Sequence, residues 1–331
     1  MSVAPNFIHM LARRAYLRAH NIGFLRVFTY HARGTNEMLG MSLNRSRLYR
    51  IGEGRYTQQS GRCPKNPPRA DAGVMTQEPA GSEVVRSPGC GQEQGLTSGT
   101  HTLRVGSAER QYVLSVPRDY DAERPYRVVF AFHGVGSDAQ QAQRTFGLEQ
   151  ATGGQAVLVY PQAVDQQADV KSWGTSGPAA DDDLALFDTL VAEVGDNLCV
   201  DQNHVFATGQ STGGFFANTL GCARGKTLRG IAPVGGGGPF VDCDGGHVAA
   251  FVIGAQDDRL VASAAVESSR DHWLRASGCT GYSVARGPSL CVDYEACNVP
   301  EHPVRFCLEQ RGDQTWPTYG GQEIWKFFEG L

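Results

Sequence analysis

The stretch Val205-Phe-Ala-Thr-Gly-Gln-Ser-Thr-Gly-Gly214 narrows the possible folds more than any other. An apolar run suited to the inside of a sheet ends in Gly-x-Ser-x-Gly, and Phe215, Phe216, Ala217 and Leu220 then supply the apolar positions of a helix. A strand that passes into a helix through this pentapeptide is the sequence form of a nucleophile elbow, which makes Ser211 the candidate nucleophile. Gly209 and Gly213 fit the tight reversal because side chains there would clash. The N-terminus of the following helix directs free N–H groups at the turn, so the Thr212 N–H is one candidate oxyanion donor. The same pentapeptide also occurs in ordinary loops, and the rest of the chain has to decide between the two readings.

The segments around the elbow alternate between strand and helix patterns. His101–Gly106 and Gln111–Val116 read as half-buried antiparallel strands joined by a turn at residues 106–109. Arg127–Phe132 and Ala156–Tyr160 are continuous apolar runs, as strands covered on both faces should be. Asp181 is expected to cap a helix in which Leu184, Phe187, Val191, Val194 and Leu198 recur at three and four residues. Further strands are expected at Arg229–Val234, Ala249–Ile253 and Val304–Leu308, with helices near 263–276 and 321–329. This order implies an α/β fold: a mostly parallel twisted sheet with helices on both faces and the site at the carboxyl ends of the strands.

Two domains are expected, a basic, disordered leader and linker over 1–88 and an α/β domain over 89–331. Residues 1–70 hold twelve Lys or Arg against Glu37 and Glu53, whereas residues 71–331 carry 18 basic and 32 acidic residues, a net −14. Arg13, Arg14, Arg18 and Arg26 interrupt any signal-peptide core. A basic run without a recognisable nucleic-acid module is weak support for nucleic-acid binding, so no nucleic-acid partner is expected. No apolar run approaches the length of a membrane span, and no membrane partner is expected either. Eight of the nine cysteines (Cys90, Cys199, Cys222, Cys243, Cys279, Cys291, Cys297 and Cys307) fall within 89–331. An even set without Cys-x-x-Cys spacing argues for disulfides and a secreted or periplasmic protein, and against zinc. Among the 105 possible pairings, Cys222–Cys243 and Cys291–Cys297 are expected because they lie close in sequence.

Phe132-His-Gly-Val-Gly136 ends a buried strand where an oxyanion loop belongs, with the N–H of Val135 or a neighbour facing the substrate carbonyl. His133 reads as a structural hydrogen-bonding residue, since the general base should follow the acid in chain order. Asp257, just past the strand that ends at Gly254, occupies the acid position, with Asp258 as the alternative.

With these motifs in place, the sequence resembles the secreted feruloyl esterases and related polyester depolymerases of the α/β-hydrolase fold. The resemblance runs from Ser87-Pro-Gly-Cys-Gly91 through Arg110-Gln-Tyr-Val113, Phe132-His-Gly134, Tyr160-Pro161, Trp173-Gly174, Asp181-Asp-Asp183 and Cys199–Gly214 to Thr315-Trp-Pro317 and Ile324-Trp-Lys-Phe-Phe328. It implies ester hydrolysis through an acyl-enzyme on Ser211, with no metal or organic cofactor, by a monomer acting on feruloylated or acetylated polysaccharide. One departure stands out. In the family the Trp-Pro pair follows Gly-His-x, and that histidine is the general base; this chain reads Gly312-Asp-Gln-Thr-Trp-Pro317, with Gln314 in the histidine's place. An amide cannot take the serine proton at neutral pH. No histidine follows His302, which precedes the last strand and so belongs at the wrong end of the sheet. The expectation is therefore a serine esterase of feruloyl-esterase type that lacks its base. Its rivals are a family member that binds polysaccharide esters without turnover and, more weakly, a protein whose basic tail binds nucleic acid.

Overall fold

The computed structural model describes residues 83–331 except 168–169, 245, 281–282, 286–290, 295–296 and 311–315, together with the backbone of three short upstream strands. The chain divides into two compact units, Met1–Thr76 and Gln77–Leu331. In the first, β1 (Met38–Met41), β2 (Leu48–Gly52) and β3 (Arg55–Gln58) form an antiparallel three-stranded sheet. The sequence reading assigned no element there, because Arg45, Arg47 and Arg50 break the apolar alternation by which a strand is recognised.

The second unit opens with an antiparallel hairpin, β4 (Gly99–Val105) and β5 (Ala108–Ser115), which turns at Gly106 with φ 58°. There follow β6 (Tyr126–Phe132), α1 (Ala139–Phe146), α2 (Leu148–Thr152) and β7 (Ala156–Pro161). A small ribbon of β8 (Asp165–Gln167) and β9 (Val170–Lys171) leads to α3 (Gly177–Asn197), β10 (Val200–Gln210) and α4 (Thr212–Ala223). The chain continues through β11 (Gly230–Val234), β12 (Ala249–Ala255) and α5 (Ser263–Ala276). It closes with β13 (Ser283–Ala285), β14 (Cys291–Tyr294), β15 (Val304–Glu309) and α6 (Gly320–Glu329).

Ten of these strands form one sheet in the order β13-β14-β15-β12-β11-β10-β6-β7-β5-β4. The six from β15 to β7 are parallel, and an antiparallel pair flanks them on each side. Alternation along each buried strand feeds two apolar layers. Val128, Phe130 and Phe132 of β6 join α3, α4 and α5 on one face, while Val129 and Ala131 join α1, α2 and α6 on the other. The order of crossovers reverses between β6 and β10, so the carboxyl ends of these two neighbours flank the crevice where α/β sheets place ligands.

Two expectations need correction. The helix expected to be capped by Asp181 begins at Gly177, with Ser176 extended at its N-cap and Pro178 in its first turn; the fixed φ of proline suits that position, so the helix is capped earlier, at Ser176 rather than Asp181. The pairing Cys291–Cys297 does not occur. The disulfides are Cys90–Cys199, Cys222–Cys243, Cys279–Cys297 and Cys291–Cys307. Cys291 and Cys307 sit opposite one another in the antiparallel β14–β15 ladder, a register that a short strand such as β14 does not advertise.

Candidate active site

Ser211 caps α4 at φ 54° and ψ −121°, and among the described residues it alone combines a side chain with positive φ. Such backbone costs of order 1–3 kcal/mol and persists only where its surroundings fix it. Here the Ser211 N–H donates to Val234 O at 2.9 Å, and Ser211 O accepts from the Phe215 N–H at 2.9 Å. Close approach by glycines completes the turn. A methyl group on Gly209 would fall 2.5 Å from the Gly213 carbonyl carbon and 2.8 Å from Phe132 O, and one on Gly213 would collide with Phe132 O and His133 O. The strand-to-helix reversal is thus pressed against the carboxyl end of β6.

That contact brings the His133–Gly136 loop to the serine. A methyl group on Gly134 would lie 3.5 Å from Ser211 Cβ. Gly136 N–H donates to Lys171 O at 2.9 Å and Ser137 N–H to Gly134 O at 3.2 Å, which curls the loop around Val135. Thr212, at the first position of α4, has its Oγ1 buried without a hydrogen-bond partner.

His133 is buried and both its ring nitrogens are engaged. Nδ1 donates to Gly134 O at 2.7 Å, which leaves Nε2 to accept from the Ala163 N–H and the Gln162 amide, each at 3.1 Å. Burial depresses its pKa, so it stays neutral and braces the loop, as its sequence position suggested. Trp173 Nε1 donates to His133 O at 2.9 Å. Below, Arg110 and Asp183 form a buried ion pair at 2.8 Å, and the second oxygen of Asp183 accepts from the Gly174 N–H at 2.8 Å. Several separated sequence motifs therefore converge on one brace behind the loop.

The two aspartates after β12 have different surroundings. Asp258 Oδ1 accepts from the N–H groups of Leu260 and Val261 at 2.8 and 2.9 Å, so Asp258 closes the turn. Asp257 is exposed in that turn at the carboxyl edge of the sheet. Gln314 lies outside the described residues. The chain on either side of its segment is anchored: Glu309 O accepts from the Gln256 N–H at 2.7 Å, one residue from Asp257, and Trp316 stacks on Phe146 at 3.8 Å while its Nε1 donates to Phe146 O. His302 sits at the amino end of β15, the opposite edge from Ser211, where it stacks on His247 at 6.0 Å.

Sequence reasoning missed the support under the β11 loop. Asn218, two turns into α4, is fully buried; its Oδ1 accepts from Trp273 Nε1 at 2.8 Å and Ser269 Oγ at 2.9 Å, and its Nδ2 donates to Gly237 O at 3.0 Å. A lone polar residue on an otherwise apolar helix face was the available signal. Phe240, on the same loop, stacks 6.1 Å from Phe215. Val135, Phe240 and Leu260 are all exposed on loops after β6, β11 and β12, so apolar side chains rim the edge of the sheet that carries Ser211. One metal-like group of ligand atoms exists among the described residues, Cys222, Cys243 and His272, but both sulfurs are bound in a disulfide and the set does not suit an ion.

Among protein-family models none matches the chain. It is 30% identical over 268 residues to probable feruloyl esterase C of Aspergillus terreus, covering 75% of this chain and 93% of that protein. Feruloyl esterase C of Emericella nidulans is 29% identical over 260 residues, covering 73% and 90%. Among solved structures, the acetyl xylan esterase from Aspergillus awamori superposes with a TM-score of 0.55 at 11% identity over 70% of this chain and 99% of that one. A thermostable esterase gives a TM-score of 0.51 at 18% identity, covering 70% and 62%.

Proposed function

The chain belongs to the feruloyl esterase family of α/β-hydrolase serine esterases, and from that premise we propose that Ser211 carries its ester chemistry, with Gln314 standing where the general base is expected. Ser211 Oγ attacks the ester carbonyl carbon as its proton passes to water in place of the missing base, and the carbonyl oxygen becomes an oxyanion held by the N–H groups of Val135 and Thr212. The leaving oxygen takes a proton from water and departs as the alcohol, giving an acyl-enzyme that a second water hydrolyses to the acid and free Ser211. Asp257 takes the acid's place in the triad, because Asp258 is committed to its turn. The observation that carries this reading is the backbone of Ser211 at φ 54°, held against the His133–Gly136 loop.

The feruloylated or acetylated polysaccharide of a plant cell wall is the proposed substrate, supported by the relatives' names and by the apolar rim of Val135, Phe240 and Leu260. The four disulfides support a secreted protein. A second reading, binding of such esters without turnover, is favoured by the residue at position 314: glutamine can hold the serine hydroxyl but cannot accept and return its proton. Incubation with an activated aryl acetate followed by peptide mass spectrometry tests the nucleophile. The account expects an acetyl group on the peptide containing Ser211 and none in Ser211→Ala; acetylation confined to another residue would remove Ser211 from its role.

A further inference from the structure

A cavity lies far from the serine, between α3 and the amino-terminal halves of β6 and β10, with a volume of about 260 Å³. One feature of the chain opens it. Between Val200 and Val205 the register of β10 against β6 breaks, so five residues of β10 span what two residues of β6 span opposite. Val205 precedes Ser211 by six residues on one strand, which puts the cavity roughly 20 Å from the nucleophile.

The lining has a simple polarity. Val128, Phe130, Val194, Val200 and Val205 are buried walls, whereas Gln202 and Lys226 are exposed at the mouth. Among the described residues no Asp or Glu lines the cavity, and Lys226 is its only charge, in a part of the chain whose net charge is −14. Among the described residues the Lys226 ammonium has no ion-pair or hydrogen-bond partner. The nearby Asp244 is occupied by backbone, its Oδ1 accepting from the Gly246 N–H at 2.8 Å and its Oδ2 from the Lys226 N–H at 3.3 Å.

We propose that this cavity binds a small monocarboxylic acid with a single-ring or branched apolar body, seated with the body between α3 and the sheet and the carboxylate on Lys226. Apolar walls favour an apolar body, and one unpaired cation at the mouth selects a single negative charge over a neutral or cationic ligand. The volume lies just under the usual range of about 300–1,000 Å³ for drug-sized ligands, which limits the body to about one ring. The site is separate from the ester chemistry and does not depend on it.

Calorimetric titration of the full chain with cinnamate, beside its neutral amide, tests the proposal. One site per chain is expected for the acid, with the amide binding at least about tenfold more weakly. Lys226→Met should weaken cinnamate about tenfold or more. Val191→Trp, which places a bulky group at the half-buried wall, should abolish binding with the circular dichroism unchanged. Ser211→Ala should leave the affinity as it was, which separates this cavity from acid held near the nucleophile. The proposal is overturned by an absence of saturable binding, by equal affinity for acid and amide, by binding that survives Val191→Trp, or by binding that Ser211→Ala removes.

Discussion

Gly213 has no room for a methyl group, because Phe132 O and His133 O occupy the space where Cβ would stand. Gly213→Ala is therefore expected to destabilise the fold by about 1–3 kcal/mol through overpacking, and to push the His133–Gly136 loop away from Ser211. Urea unfolding checks the first effect; an unchanged midpoint would mean that the elbow and the β6 loop are not in contact. A second residue-scale effect concerns pH. Burial, with Arg229 and His247 nearby, lowers the pKa of His302 from 6.5 to about 4. The unfolded chain takes up a proton there that the folded chain refuses, so the stability from keeping His302 neutral is complete above about pH 6.5 and is lost as pH falls toward 4. His302 is only partly buried, so solvent screening keeps the loss to a fraction of what the full shift would give. Burial of His133 lowers its pKa too and acts in the same direction. Unfolding midpoints taken between pH 7 and pH 4.5 should fall less steeply in His302→Gln than in the parent; parallel slopes would show that His302 is protonated alike in both states.

Helices α4 and α5 and the glycine loop after β11 meet at Asn218, which satisfies Trp273, Ser269 and Gly237 at once. Asn218→Leu leaves those groups buried without partners and is expected to cost about 2–4 kcal/mol; differential scanning calorimetry checks it, and a loss below about 0.5 kcal/mol would mean that the three groups find partners elsewhere. Only its polarity on an apolar helix face marks Asn218 in the sequence, and that does not reveal its partners, because they depend on which helix packs beside α4. The parallel strands β6, β7, β10, β11 and β12 were legible, since strands covered on both faces must be continuously apolar, whereas the short ribbon of β8 and β9 was not. Less legible were β13 and β14, which are short and only partly buried edge strands, and with them the Cys291–Cys307 register. At the site, the elbow and the His-Gly loop could be read from glycines that backbone contact demands. The brace of Arg110, Asp183 and Trp173 could be noticed only as scattered motifs, because a buried ion pair 73 residues apart in sequence has no local pattern.

Across the whole molecule, covalent and apolar terms reinforce each other. Residues 77–331 contain all ten strands of the large sheet, both apolar layers and the four disulfides. Cys90–Cys199 closes a sequence separation of 109 residues, for which the loop-entropy account gives about 4.7 kcal/mol. The other three close short loops within the α4–β15 half, each worth roughly 2–4 kcal/mol. Thiol titration in denaturant without reductant should therefore find at most one thiol per chain, Cys63, and prior reduction should lower the thermal midpoint markedly. Nine titratable thiols would contradict the pairing and the oxidising compartment inferred from it.

The central claim is that this family member keeps its nucleophile and its oxyanion loop while lacking the proton acceptor. Imidazole can take the Ser211 proton on attack and return it to the leaving alcohol, and an amide can do neither. Loss of one triad member leaves about 10³–10⁴ of rate enhancement over water, from binding and the oxyanion donors. The deciding measurement is kcat for a feruloyl or acetyl ester in the parent, in Gln314→His, and in Gln314→His combined with Ser211→Ala. The account predicts a rise of at least about 10³ on restoring histidine, and its disappearance when Ser211 is also replaced. Hydrolysis at ordinary rates by the parent, or no gain in a folded Gln314→His, would contradict it.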